Sequence, residues 1–457
     1  MNQIIYEINL LVCITVVSAL PASPISFLKS GQIHSTLCLF VQGIISYQAE
    51  KVYLQYMKNE KQSMDQAVEK QIGRKWGQCY LIMSVIYLLQ LTLLYSFYAY
   101  TLFYQIVFYF SNTIFQKNIQ QSYCMPISTL IISPLIVLMI IKRTKKQISK
   151  AFFLSSLSIM IYLIYIIVLF VRNQQISEPD YQLKNTSVLQ IFDLLSSNNL
   201  AYVNQLEIHQ ILTFQNGKVS KQSKLSIKYS TFIVFIIYSL IGNLGSYSIQ
   251  DIQLIDKNTN LIFDYFNENA FTIIVKICVI YHFIQNLSYK YNLLRKFLLK
   301  LILTSQKLND DTKKLKKKMK LILNIIFPSF YIFINLAQND LQYKFTIITG
   351  SLAGFFIIYL VPYKLQFRQQ EIAKKWLYQS QKMIIPNPFC SMQEAQEEEE
   401  TLFQKQLKDE QFINKNNIEI SKKPSLKVAS FFDKIILLFG FLISMYGIFS
   451  FIYFIIN

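Results

Sequence analysis

The stretch VLQIFDLLSSNNLAYVNQLEIHQIL, residues Val188–Leu212, is the weakest hydrophobic segment of the chain and the one that decides the fold. It is long enough to span a bilayer, because about 20 helical residues cross the hydrocarbon layer. Its asparagines, together with Gln205, Glu207 and His209, make it too polar for a helix that faces lipid. We therefore expect this segment to cross the membrane and its irregularity to serve function.

Apolar runs of membrane-spanning length recur on both sides of this segment, and the chain is 53% hydrophobic and 15% aromatic. This pattern predicts an all-α, polytopic membrane protein. The other predicted spans are Ile4–Leu20, Ile33–Met57, Gly77–Tyr104, Met125–Ile141, Ala151–Val171, Lys228–Ser248, Phe271–Tyr289, Leu321–Ala337, Phe345–Val361 and Ile435–Ile456.

Basic residues indicate which loops face the cytosol, because Lys and Arg in short loops are retained on that side. With the N-terminus inside, the lysine-rich segments 58–75, 142–150 and 313–320 all fall inside only if Val188–Leu212 crosses. The charges therefore predict eleven spans and an external C-terminus at Asn457. The net charge of +19 then reflects topology, and a nucleic-acid partner is not expected.

Two prolines interrupt the first span, within Val17–Pro24. Proline removes a backbone donor and frees carbonyl groups, which are costly inside a membrane unless they line a cavity or bind something. We expect this helix to unwind between Ser18 and Ser23 and to face the broken sixth span, Val188–Leu212, across a cavity. The alternative is that Pro21 and Pro24 end the first span at the interface and that the polar sixth span packs against neighbouring helices.

Several short segments resemble one known family in their order along the chain. They are Pro24–Gly31, Ala67–Gly77, Leu200–Glu207, the set Ser230, Tyr238 and Gly245, and Gly350–Pro362. Together they are similar to the amino acid/auxin permeases, over most of Asn9–Ile456. Two glycines of that family's first span are Val17 and Ala19 here, and Gln205 stands where a histidine often occurs.

The resemblance implies eleven membrane helices with a five-plus-five inverted-repeat transporter core. It also implies ion-coupled secondary active transport of neutral amino acids or related zwitterions by alternating access, with Na⁺ or H⁺ as the coupling ion. The substrate would bind at the broken first and sixth helices, and the ion between spans one and eight. The positions that match are Ser18, Ala19, Leu20, Tyr202 and Asn204 for the substrate and Asn286 for the ion.

Enzymatic chemistry is not expected, because the three histidines lack metal-binding spacing and no phosphate-binding glycine loop is present. Neither a catalytic residue, a metal site nor a further cofactor is predicted. Lys276, inside the eighth span, is expected to extend its ammonium group outward to the membrane surface.

The sequence divides into a core of spans one to ten over residues 1–363, a charged cytosolic insertion over 364–431 and an eleventh membrane helix over 432–457. The insertion is either a solvated segment or a docking site for a protein partner. The expected partners are otherwise the lipid bilayer and an amino acid. Plasma, vacuolar, lysosomal and other organelle membranes all remain open as locations. The alternative function is a transport-inactive, transporter-derived structural subunit of a larger membrane complex, which the loss of the paired glycines favours.

Overall fold

The computed structural model describes residues 3–17, 20–56, 63–114, 145–174, 204–212, 222–249, 262–265, 269–303, 348–384 and 431–456, with isolated positions at 128, 131, 132, 134, 195, 198, 202, 315, 318–324 and 326. All regular structure in these residues is helical, which confirms the predicted class. In chain order the helices are α1 (Gln3–Thr15), α2 (Ser23–Ser30), α3 (Gln32–Tyr56), α4 (Met64–Ile72), α5 (Arg74–Ile114), α6 (Lys145–Gln174), α7 (Gln205–Leu212), α8 (Ser223–Ser248), α9 (Ala270–Leu303), α10 (Val361–Ile384) and α11 (Phe431–Ile456).

Five helices of the described residues are long and apolar enough to cross a membrane, judged by length and composition. They are α5, α6, α8, α9 and the helix over Ile348–Ile372, which passes through a π-helical turn at Phe355–Leu360 into α10. The eleven spans and the inverted repeat stay predictions. The crossing of Val188–Leu212 also stays a prediction, because most of that segment lies outside the described residues.

Two of these helices are longer than the predicted spans. Helix α5 continues ten residues past Tyr104 to Ile114 and is roughly 60 Å long at 1.5 Å per residue. Helix α9 continues past Tyr289 to Leu303 and includes basic residues that hydropathy alone would exclude from a span. Both extensions lack glycine and proline, so nothing in the local sequence ends the helix.

Helix α2 packs closely against α8 because two positions of α8, Gly242 and Gly245, have no side chain. A Cβ atom added at Gly242 would lie 2.6 Å from the Phe27 ring, and one added at Gly245 would lie 2.6 Å from Cγ of Pro24. The chain then turns into α3 at Gly31, whose φ of 77° is readily available only to glycine. These contacts fix the second half of the interrupted first span.

The chain forms two compact units, one of Met1–Pro362 with Ile436–Asn457 and one of Tyr363–Ile435. In the second unit, α10 carries a surface ion pair between Arg368 and Glu371. The predicted three-part division of the sequence, at residues 363 and 431, stays a prediction. The predicted partner site on the insertion largely falls on residues 385–430, outside the described residues.

Candidate functional site

The first span is interrupted, as its prolines predict. Helix α1 ends at Thr15 and α2 begins at Ser23, with Pro24 in its first turn, where a missing backbone donor is tolerated. The interruption starts at Val16, earlier than the predicted Ser18. There the Val17 N–H donates to the Thr15 carbonyl at 2.9 Å, which is not a helical bond. The predicted ligands Ser18 and Ala19 lie outside the described residues.

Four main-chain carbonyl groups around this first break accept hydrogen bonds from four other parts of the bundle. The Tyr238 hydroxyl donates to Thr15 O at 3.0 Å, and the Tyr162 hydroxyl donates to Leu20 O at 3.3 Å. His282 Nε2 lies 2.6 Å from Val16 O, and the Ile262 N–H donates to Pro21 O at 3.1 Å. Buried carbonyl groups are costly without donors, so these contacts stabilise the unwound chain.

His282 connects the first break to two membrane helices. It lies on α9 and is fully buried, with Nε2 against the Val16 carbonyl and Nδ1 hydrogen-bonded to the Ser155 hydroxyl of α6. A carbonyl oxygen only accepts, so Nε2 carries the hydrogen and a neutral ring accepts at Nδ1. Nothing in the sequence predicts this role, since an isolated histidine in a span is unremarkable by itself.

A second break precedes α7. The Asn204 N–H donates to the Tyr202 carbonyl at 3.1 Å, and the Asn204 carbonyl accepts from the N–H groups of Glu207 and Ile208 as the helix begins. The Asn204 side chain is buried, and its Nδ2 donates to Oγ1 of Thr15 at 3.1 Å. This bond brings the two breaks together, whereas the cavity that the sequence predicts between the first and sixth spans stays a prediction.

Polar side chains of α3 join the second break. Ser46 Oγ lies 3.0 Å from the Tyr202 carbonyl and 3.2 Å from Oε1 of Glu50, and it accepts from Nε2 of Gln205 at 2.9 Å. Glu50 is 1% exposed. Sequence reasoning missed both Ser46 and Glu50, although a buried charge inside a membrane helix is itself a functional signal.

A buried ion pair lies one turn into α7. Glu207 Oε1 and Lys290 Nζ of α9 are 2.5 Å apart, and both side chains are at most 1% exposed. Each charge neutralises the other, which removes much of the cost of burying either one. Glu207 belongs to the segment that carries the family resemblance, whereas Lys290 was not singled out.

The remaining predicted ligands are buried but differ in what they contact. The Tyr202 ring lies edge-on to Tyr238 at 6.4 Å, and its hydroxyl would be 3.3 Å from a Cβ added at Gly43. Asn286 is 0% exposed, but its Nδ2 donates to the His282 carbonyl of its own helix at 3.0 Å. On α9 it is thus His282, not Asn286, that bonds to the main chain of the first break. Lys276 is also buried, over the Phe263 ring at 5.7 Å, so the expectation that it extends outward is wrong.

The family model described as transmembrane amino acid transporter protein matches residues 12–393. No curated protein sequence matches the chain. Similar solved structures include the Eremococcus coleocola manganese transporter as a histidine-to-alanine mutant, at 10% identity and a TM-score of 0.45, covering 99% of this chain and 95% of that one. The same transporter with an aromatic bis-isothiourea substituted compound is 11% identical, with a TM-score of 0.43 and the same coverage.

The family match spans both breaks, α3 with Ser46 and Glu50, and α9 with His282 and Lys290. It confirms the resemblance found in the short segments of the sequence. The chain is accordingly an integral, multi-pass membrane protein of a transporter family and not an enzyme. It belongs to the transmembrane amino acid transporter family.

Proposed function

We propose that the protein is a secondary active transporter of neutral amino acids or related zwitterions, coupled to Na⁺ or H⁺ and working by alternating access. The observation that carries this proposal is the hydrogen bond between Asn204 Nδ2 and Thr15 Oγ1, because it joins the end of α1 to the start of α7. Broken helices that meet inside a bundle supply polar main-chain ends where a zwitterion can replace its lost water contacts.

The breaks also suit the movement that alternating access requires. A helix interrupted over several residues can pivot at the interruption, since no continuous ladder of hydrogen bonds resists the bend. Thr15 and Asn204 are both buried, at 4% and 3% exposed. A state in which the centre is closed to solvent is one of the states that an alternating-access cycle passes through.

A second candidate, a transport-inactive subunit, is favoured by a specific observation. Val16 and Val17 are 0% exposed, and the carbonyl groups of Thr15, Val16, Leu20 and Pro21 already have donors within the protein. A β-branched residue resists unwinding where glycine permits it, and its side chain fills space that a ligand would need. A centre filled in this way would leave a stable scaffold without transport.

Uptake of pooled labelled amino acids into proteoliposomes, with an imposed Na⁺ or H⁺ gradient, separates the two candidates. The transporter reading predicts gradient-dependent uptake by the wild type. Uptake that appears only after Val17→Gly with Ala19→Gly would identify a degenerated transporter. Folded protein that shows no uptake in either form would support the inactive subunit.

A matched pair of variants tests the contact that carries the proposal. Asn204→Ala and Asn243→Ala each remove an amide-to-threonine hydrogen bond between helices, of 3.1 Å to Thr15 and 3.2 Å to Thr36. Only the first lies at the breaks. We expect Asn204→Ala to lower uptake about tenfold or more and Asn243→Ala to leave most of it. Equal losses in both variants would contradict a special role for the junction.

A further inference from the structure

Glu50 differs from the other buried carboxylates of the described residues. Glu207 is paired with Lys290, and Asp65 is paired with Lys300. Glu7 has no cationic partner among the described residues, but each of its oxygens has a donor, Gln3 Nε2 at 2.8 Å and Ser226 Oγ at 2.7 Å. Like Glu207 and Asp65, Glu50 has one oxygen without a hydrogen-bond partner, its Oε2. Unlike them, it has no cationic partner in the part of the chain that the structure describes.

The other oxygen of Glu50, Oε1, shares its donor with a main-chain carbonyl group. Ser46 Oγ is within hydrogen-bonding distance of both Glu50 Oε1 and the Tyr202 carbonyl, at 3.2 and 3.0 Å. A serine hydroxyl has one hydrogen, so it can serve only one of these acceptors well. A buried carboxylate with a shared hydroxyl donor and no cation is costly, because water is absent to compensate.

The neighbours of Glu50 are also short of donors. Asn204 Oδ1 and Gln205 Oε1 are buried without a hydrogen-bond partner. The Asn204 amide lies within reach of the Glu50 carboxyl group, and Gln205 is joined to Glu50 through Ser46. Glu50, Asn204 and Gln205 therefore belong to one hydrogen-bond network, and each of them has an acceptor oxygen without a donor. The group that fits such a cluster is a donor with several hydrogens and a positive charge.

Four main-chain acceptors that the structure describes at the first break do not compete for this role. The carbonyl groups of Thr15, Val16, Leu20 and Pro21 are already bonded to Tyr238, His282, Tyr162 and Ile262. A cation that bound them would have to displace a buried phenol, imidazole or amide donor. Among the residues that the structure describes, unsatisfied acceptor oxygens lie on side chains at the second break, those of Glu50, Asn204 and Gln205 among them.

We propose that Glu50, with Asn204 and Gln205, binds the ammonium group of the transported substrate. An ammonium group offers three donors and one positive charge, which matches the three unsatisfied oxygens and the carboxylate. This inference rests on the proposed transport function and narrows its substrate class. The amino group is the recognised feature, so a primary amine without a carboxylate binds the same site.

Matched ligand sets test this inference on the purified full-length protein. Each set holds an amino acid, its amine without the carboxylate and its acid without the amine: alanine, ethylamine and propanoate, or leucine, isoamylamine and isocaproate. Binding is read from the ligand-dependent rise in unfolding temperature and from calorimetric titration. We expect the amino acid and the amine of at least one set to bind and the matching acid not to bind. The wild-type protein alone is enough to measure this selectivity.

Two carboxylate variants locate the site. Glu50→Gln keeps the side-chain volume but removes the charge, and we expect amine affinity to fall about 10- to 100-fold. Glu7→Gln is the control, since Glu7 is just as buried but both of its oxygens have donors. It should leave amine affinity unchanged.

Three results would overturn the inference: amine affinity that survives Glu50→Gln, acids that bind as well as amines, or stabilisation by Na⁺ or acid that depends on Glu50 while no amine binds. The last would assign Glu50 to the coupling ion. The transport proposal fails separately. Amine binding at Glu50 without uptake would retain the site and reject transport, whereas uptake with amine recognition independent of Glu50 would do the reverse.

Discussion

The break between α1 and α2 and the break just before α7 both lie inside the bundle, but their polar atoms are satisfied differently. The carbonyl groups at Thr15, Val16, Leu20 and Pro21 each receive a donor from another element. Around the second break, Glu50 Oε2, Asn204 Oδ1 and Gln205 Oε1 have no hydrogen-bond partner. The first break is therefore stabilised by donors from other parts of the bundle, whereas the second has acceptor oxygens that can bind a ligand.

This difference separates two properties that broken helices are often assumed to share. An unwound segment frees main-chain groups, but neighbouring side chains can take them up again. The capacity to bind a ligand depends on which acceptors remain, and here those lie on side chains of α3 and α7. Substitutions at each break should therefore differ in their effect on stability.

The largest effect is expected at the ion pair beside the second break. Lys290→Met leaves Glu207 buried without its cation, which should cost about 3–5 kcal/mol of folding free energy. Thermal unfolding in detergent measures the loss. Adding Glu207→Gln to Lys290→Met removes both charges and should recover most of the stability. A single variant as stable as the wild type would show that the pair does not support the second break.

A smaller effect is expected from removing a brace at the first break. His282→Phe keeps a ring of similar size but leaves the Val16 carbonyl without its donor, at a cost of about 1–3 kcal/mol. Tyr162→Phe removes the longer 3.3 Å bond to Leu20 O and should cost about 1 kcal/mol or less. The same unfolding assay compares them. If His282→Phe were neutral, the first break would not depend on its donors.

The smallest effects are expected from a glycine-to-alanine substitution beside each break, which compares how tightly the two breaks are packed. Gly245→Ala places a Cβ atom 2.6 Å from Cγ of Pro24, a rigid ring that cannot rotate away, so we expect a cost of about 1–3 kcal/mol. Gly43→Ala places a Cβ atom 3.3 Å from the Tyr202 hydroxyl, which needs to shift only slightly, and should cost less than about 1 kcal/mol. Unfolding temperatures should fall in that order, and the reverse order would contradict tight packing at the first break.

The sequence predicted the interruption of the first span because proline acts locally, through its missing N–H and fixed φ. It placed the start at Ser18 and not at Val16, since the upstream residues leave the helix where Tyr238 and His282 bond to their carbonyl groups. Those donors lie more than 200 residues away in the sequence. Contacts of that kind leave no local signal.

Among candidate ligands, Tyr202 and Asn204 were identified because they stand in Leu200–Glu207, a segment that resembles the family. Glu50 was not, since it is followed by Lys51 near the end of a predicted span and resembles an ordinary membrane-boundary charge. Lys276 shows the converse error. Length and flexibility predict that such a side chain reaches the surface, but the ring of Phe263 covers it inside the bundle.

A structure of the protein with a bound substrate amino acid, identified by the uptake and binding assays, would show directly which break binds the ligand. We expect the ligand nitrogen to lie within hydrogen-bonding distance of Glu50 Oε2, with Asn204 or Gln205 as a further acceptor. It also predicts that His282 and Tyr238 keep their bonds to Val16 and Thr15. A ligand nitrogen bound to those two main-chain carbonyl groups, with His282 and Tyr238 displaced and Glu50 uninvolved, would contradict it.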